Sequence, residues 1–214
     1  MILGNNIYGI TSLYYSFVDY LYQNRKKICL LQLVGRLEDY LVKEFIYHIH
    51  VKSNGKRFPM TNIGKSGEHK VDIAIFSGKL SDRIITGLVE AKYLRNWHRV
   101  DKEPATDEIN TTLKSLKSQI GRYNRKTHGS YSIKLQSHTN EIYGLVFASF
   151  VFDKIDDYEK EKYYDNILNS KEASYFKYHD LDKPYFRSIY ENEKIKVLNG
   201  YRYVSLRVGL WKLK

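Results

Sequence analysis

The residues best suited to chemistry lie between Lys70 and Tyr93, in the run KVDIAIFSGKLSDRIITGLVEAKY. Asp72 and Glu90 are single carboxylates set into apolar runs, and Lys92 follows Glu90 by two residues. A carboxylate in such a run is costly to bury unless a partner neutralises it. Two carboxylates held close also repel, so that one tends to keep its proton. A hard divalent cation removes both penalties. Mg²⁺ takes oxygen ligands and keeps several waters, so two carboxylates and one backbone carbonyl, that of Ala91, suit it. The ion would polarise a phosphoryl oxygen and acidify a water. Lys92 would orient that water and offset charge in the transition state. The plainer reading of the same residues is two solvent-facing acids with Lys92 as their salt-bridge partner.

These side chains need a rigid mount. Val71 to Phe76 alternates, with Val71, Ile73 and Ile75 facing one way and Asp72, Ala74 and Phe76 the other. Ile84 to Tyr93 is rich in β-branched and apolar residues and reads as a second strand. Ser77, Gly78, Ser81 and Asp82 supply turn chemistry between them. Glu90 and Lys92 then project from one face of the second strand.

Asp72 on one strand, followed by Glu90-Ala91-Lys92 on the next, resembles the PD-(D/E)xK nuclease superfamily, the restriction-endonuclease-like proteins. Val71 stands where the motif's name has proline, and His69 and Lys70 precede it. The resemblance spans residues 30–152. It implies an α/β fold with a mixed central sheet flanked by helices, in the order αβββαβ. It further implies that Asp72, Glu90 and the Ala91 carbonyl bind Mg²⁺, with Mn²⁺ able to substitute, and that Lys92 assists phosphodiester hydrolysis leaving 5′-phosphate and 3′-hydroxyl ends. DNA is the implied substrate, RNA stays open, and a homodimer is implied where both strands are cut.

The flanking segments can be read in that order. Ser12 to Tyr22 is helical, with Leu13, Phe17, Tyr20 and Leu21 apolar, followed by a basic break from Gln23 to Lys27. From Ile28 to His48, Leu30, Leu33, Val34, Leu37, Leu41 and Phe45 recur at helical spacing. Glu38 borders that stripe. An acid on the first core helix often points at the metal in the family, so the resemblance makes Glu38 an auxiliary site residue. Tyr47 to Lys52 suits either the end of this helix or the first strand, and on a strand His48 and His50 would share a face. Ser53 to Lys70 reads as a loop over a nucleic-acid groove, with Lys56, Arg57 and Lys65 as phosphate contacts. Gly64-Lys65-Ser66 is not a phosphate loop, because Pro59 holds the earlier glycine position and a strand follows.

Beyond Lys92, cations alternate with aromatics, and Arg95 and Arg99 suit a phosphate backbone beside Trp97. Thr106 caps a helix running to about Asn124, with Asp107 and Glu108 in its first turn. Lys114, Lys117 and Arg122 form its basic flank. Gln119 lies beside its apolar stripe, and a glutamine on this helix recurs in parts of the superfamily, so the resemblance makes it a second auxiliary residue. Glu141 to Phe152 is a strongly apolar strand. In the tail, Val204, Leu206, Val208 and Leu210 alternate with Tyr203, Ser205, Arg207 and Trp211, as in a half-buried strand.

The chain of 214 residues carries 35 basic and 24 acidic residues, a net charge of +11, which favours an anionic partner and nucleic acid before membrane. Cys29 is the single cysteine, which excludes an intrachain disulfide and a cysteine-built zinc site. With no long apolar run and no leader-like start, the expectation is a soluble cytoplasmic protein without a membrane partner. The length fits one domain, with residues 1–29 as a helical decoration, 30–152 as the nuclease core and 153–214 as an extension for recognition or dimerisation. The function expected is a Mg²⁺-dependent DNA endonuclease of restriction or defence type. A resolvase, repair or transposition nuclease on the same core, and a catalytically idle nucleic-acid-binding module, are the alternatives.

Overall fold

The structure, a computed structural model, describes residues 9–35, 37–63, 71–77, 84–96, 114–115, 118, 142–152, 176–177 and 185–213. Three helices come first: α1 (Ile10–Gln23), α2 (Arg25–Leu33) and α3 (Leu37–Lys52). Seven strands follow: β1 (Arg57–Ile63), β2 (Val71–Ser77), β3 (Ile84–Asn96), β4 (Ile142–Phe152), β5 (Phe176–Lys177), β6 (Tyr185–Val197) and β7 (Gly200–Leu213). Among the described residues these form one mixed sheet in the order β1-β2-β3-β4-β7-β5, with β6 also paired to β7. β1 pairs antiparallel with β2 and β2 with β3, β4 is parallel to β3, and β7 is antiparallel to β4. The fold is therefore α/β, as expected.

α1 forms because Ile10, Leu13, Tyr14, Phe17 and Leu21 recur on one face, and all five are buried. The Tyr14 hydroxyl donates to the Val208 carbonyl on β7 at 2.8 Å, tying the helix to the sheet. The N-terminal helix thus packs into the core that it shares with the sheet. The continuous helix expected from Ile28 to His48 is instead two helices. Gly35 adopts φ +89°, which glycine alone takes freely, and α3 starts two residues later. The break also moves the basic segment: Arg25 to Lys27 are the first turn of α2 rather than a linker. As a result the stripe splits. Leu37, Leu41 and Phe45 are buried, whereas Leu30 and Val34 point outward.

α3 runs on to Lys52, so His48 and His50 sit on a helix and do not share a face. His48 is buried against the Phe17 and Tyr20 rings, with Nε2 2.9 Å from the Ser16 hydroxyl, while His50 is exposed. Burial, then the charge of Lys52, pushes the His48 pKa down to about 4. A turn with positive φ at Asn54 and Gly55 leads directly into β1, where a loop was expected. Pro59 is tolerated there because β1 is an edge of the sheet.

The sheet buries residues on both faces. One carries Ile73, Ile75, Val89, Ala91, Leu145, Phe147, Val204, Leu206, Val208 and Leu210 into a core shared with α1 to α3. The other carries Ala74, Leu88, Val146, Ala148, Phe150 and Trp211, each at most 2% exposed and outside that core. β7 is thus an interior strand, buried on the helix face at Val204, Leu206, Val208 and Leu210 and on the other at Ser205 and Trp211, with Tyr201 exposed. Within residues 153–214, β5, β6 and β7 belong to the same sheet, and β7 pairs with β4 over ten successive positions.

Candidate functional site

β2 and β3 pair antiparallel, with Ile73 opposite Val89 and Ala74 opposite Leu88. Asp72 precedes Ile73 and Glu90 follows Val89, so both leave the last paired position on the face of Ala74 and Leu88. Asp72 is fixed there by its own carboxylate, whose Oδ2 accepts the Ala91 backbone N–H at 2.8 Å. Glu90 is 1% exposed, in a row of apolar residues. Lys92, two positions on, is half-buried on the same face.

The parallel pairing of β3 with β4 places Gly144 beside Glu90 and Val146 beside Lys92, and β7 sets Trp211 beyond Gly144. The row Asp72, Glu90, Gly144, Trp211 therefore crosses four strands on the face opposite the three helices. Gly144 was not singled out from sequence. A lone glycine inside EIYGLVFASFVF is nonetheless a signal, because a strand interior gives up packing to hold one. Here it puts no side chain next to the Glu90 carboxylate.

Glu38 lies in the first turn of α3 and is half-buried. α3 turns back into β1 through four residues. Among the described residues, no three His, Cys, Asp or Glu side chains form a metal-sized group, so Glu38 is not brought into one with Asp72 and Glu90.

The expected phosphate contacts divide. Arg57 pairs with Ser77, five residues from Asp72 along β2, about 17 Å away. Its Nη1 donates to the Thr86 hydroxyl at 2.8 Å, and that hydroxyl donates to the Ile75 carbonyl at 3.3 Å. Thr86 is the extra residue of a β-bulge where the register shifts between Ile75 and Phe76. Arg57 thus clamps a bulge far from the carboxylates, and the exposed Lys56 precedes it at the same end. Arg95 belongs to β3, and its backbone pairs with Ser149. Lys114 is helical and exposed. Lys65, Arg99, Lys117, Gln119 and Arg122 lie outside the described residues, as does Trp97.

The donor set suits a hard cation: two carboxylates on adjacent strands with the Ala91 peptide between them. Asp72 commits one oxygen to Ala91, which fixes its orientation before any ligand arrives. Mg²⁺ needs only one or two carboxylates, with water and substrate oxygens completing its shell. No helix among the described residues is long and apolar enough to cross a membrane. Comparison with family models, curated proteins and solved structures finds no match to this chain.

Proposed function

We propose that this chain is a divalent-metal-dependent DNA endonuclease, and that Asp72, Glu90 and Lys92 are its working residues. The observation that carries the reading is the Asp72 Oδ2 to Ala91 N–H hydrogen bond of 2.8 Å, beside the buried Glu90 carboxylate. A salt-bridged surface pair has no need of a backbone-locked acid next to a buried one, whereas a phosphodiester site does, because pre-oriented ligands cost no reorganisation during reaction. Further support comes from the strand order. An antiparallel β1-β2-β3 unit and a β4 parallel to β3 agree with the αβββαβ expectation, although the second helix of that order falls mostly outside the described residues.

Asp72, Glu90 and the Ala91 carbonyl would hold Mg²⁺ or Mn²⁺. Bound there, the ion would supply polarisation of the phosphoryl group and neutralise its charge. The chain's own contributions are separable. Asp72 is held in place by the Ala91 amide. Glu90 keeps its carboxylate away from bulk water, where its field is strongest. Lys92, on the same face, orients the attacking water by hydrogen bonding and offsets negative charge on the phosphorane-like transition state. The reading is tested by incubating the protein with supercoiled and linear DNA in Mg²⁺ and in EDTA. Mg²⁺-dependent nicks or fragments that Asp72→Asn fails to produce are expected. Equal cleavage in EDTA, or by the variant, would overturn it.

A further inference from the structure

The β6–β7 hairpin carries charge and aromatics that the catalytic reading does not use. From residue 194 to the end, the sequence has Lys194, Lys196, Arg202, Arg207, Lys212 and Lys214 and no acid. The two acids just before this stretch are engaged. Glu191 is ion-paired with Arg207 at 2.6 Å, and Glu193 with Arg25 on α2 at 3.8 Å. The outer end of the hairpin is thus a local excess of positive charge on a protein already at +11.

Its orientation follows from strand register. Glu90 aligns with Gly144, Gly144 with Trp211, and every second residue along β7 from Trp211 reaches Tyr203 and Tyr201. Tyr203 pairs with Lys194 and Tyr201 with Lys196. Opposed residues share a face. Lys194, Lys196, Tyr201 and Tyr203 therefore stand on the face of the sheet that carries Asp72, Glu90 and Lys92. The alternate set, with Ile195 packed against the core and Glu193 reaching α2, faces the helices.

β4 ends opposite Tyr203, so the outermost hairpin residues reach past it. There Lys194, Lys196 and Tyr201 are exposed, and Leu198 at the turn is 100% exposed. The Lys194 ammonium sits 4.0 Å from the Tyr201 ring centroid. Between hairpin and site the same face is buried at Val146, Ala148, Phe150 and Ser205, so the hairpin is a separate contact rather than the rim of one groove.

We infer that this hairpin is a second duplex-binding element, holding the phosphate backbone of DNA at a distance from the scissile bond. The inference rests on the nucleic-acid reading of the Asp72–Glu90 site. Two lysines, each opposite a tyrosine, fit a polyanion whose charges repeat along a groove, with tyrosine rings available to pack on sugars or bases. An anionic membrane is the weaker fit, because Leu198 is the only large aliphatic side chain at the exposed turn and interfacial binding needs a broad apolar face. Trp211 to Leu198 is thirteen residues, at most about 43 Å along the strand, which corresponds to about a dozen base pairs of duplex.

The test is fluorescence anisotropy of a labelled duplex of about 40 base pairs, long enough to span both contacts, in EDTA so that cleavage plays no part. Lys194→Gln/Lys196→Gln is compared with wild type and with Lys26→Gln/Lys43→Gln, which removes the same charge from exposed helix positions. Losing two phosphate contacts should weaken binding about tenfold and lower the slope of log K against log salt by about 1.8, with the control changed far less. Equal loss in hairpin and control variants would show a diffuse charge effect and overturn the inference, as would unchanged binding or no binding by wild type. Loss of affinity for phosphatidylserine-containing vesicles with DNA affinity retained would overturn it in favour of a membrane. Plasmid cleavage in Mg²⁺ is scored separately. Cleavage by wild type with the hairpin variant binding normally sinks this inference alone, whereas hairpin-dependent binding without any cleavage sinks the catalytic reading alone.

Discussion

In the proposed site Asp72 would have two jobs that different substitutions separate. Asn at this position keeps an oxygen able to accept the Ala91 N–H but loses the negative charge. Asp72→Asn should therefore cut the cleavage rate at least about 100-fold, the scale of losing one well-placed electrostatic group, while far-UV circular dichroism and Tm stay near wild type. A comparable rate in both proteins at equal concentration would remove the site. Lys92→Ala belongs to the same class, since Lys92 shares the face of Glu90. His48 makes a prediction about stability rather than activity. Its folded pKa of about 4 lies below the ordinary 6.5, because burial disfavours the charged ring beside Lys52. The unfolded chain then binds the extra proton, so this contribution is complete above pH 6.5 and is lost as pH falls towards 4. Asp19 and Glu44 oppose the shift without cancelling it. Thermal melts at pH 7 and pH 5 should show a smaller acid-induced drop in Tm for His48→Gln than for wild type. Identical drops would assign acid sensitivity elsewhere.

Among the elements, α2 is tied to the sheet through a buried amide. Gln32 is 1% exposed, and its Nε2 shares two hydrogens among the Ser149 hydroxyl at 2.7 Å, the Phe150 carbonyl at 2.9 Å and the Ser205 carbonyl at 3.0 Å. Its Oε1 accepts the Tyr190 hydroxyl at 2.6 Å. One side chain thereby joins α2, β4, β6 and β7. Gln32→Leu would leave several of these groups buried and unsatisfied, which should cost about 3 kcal/mol in urea unfolding. A loss under about 1 kcal/mol would mean that the groups find other partners. The composition of α2 gave no hint of this, because a glutamine between Leu31 and Leu33 looks like an ordinary solvent-facing position. The break at Gly35 was equally hard to read. The apolar spacing of Leu30, Val34 and Leu37 continues across it as if the helix did, and only the backbone's turn at φ +89° puts Leu30 and Val34 outside.

For the whole molecule, the net charge of +11 and the placement of cations point to binding dominated by phosphate contacts. DNA affinity should fall at least about tenfold between 50 and 200 mM salt, as for two or more neutralised phosphates. Salt-independent affinity would argue against an electrostatic interface of any kind. The site itself is assembled across β2, β3 and β4, whose strands are separated in sequence by up to 45 residues between β3 and β4. Such pairing is anchored on both sides: the helix-covered face buries Ile73, Val89 and Leu145, and the site face buries Ala74, Leu88 and Val146.

The sequence by itself determined the elements whose signal is local. Alternation over Val71 to Phe76, β-branched residues before Glu90, and the apolar run to Phe152 defined three strands, and a period of two put Glu90 and Lys92 on one face. It also placed Asp72 and Glu90 on neighbouring strands through a short polar connection. Only the tertiary structure decided what depends on pairing between distant segments. The antiparallel pairing of β2 with β3 brought the Asp72 carboxylate beside Glu90 and gave its Oδ2 to the Ala91 amide. Packing drew α1 into the core and β7 into the middle of the sheet. The bulge brought the Thr86 hydroxyl within reach of the Arg57 guanidinium. Side-chain period is a property of one strand, but which faces of different strands coincide is fixed by hydrogen-bond register between them. No spacing within a single segment records that.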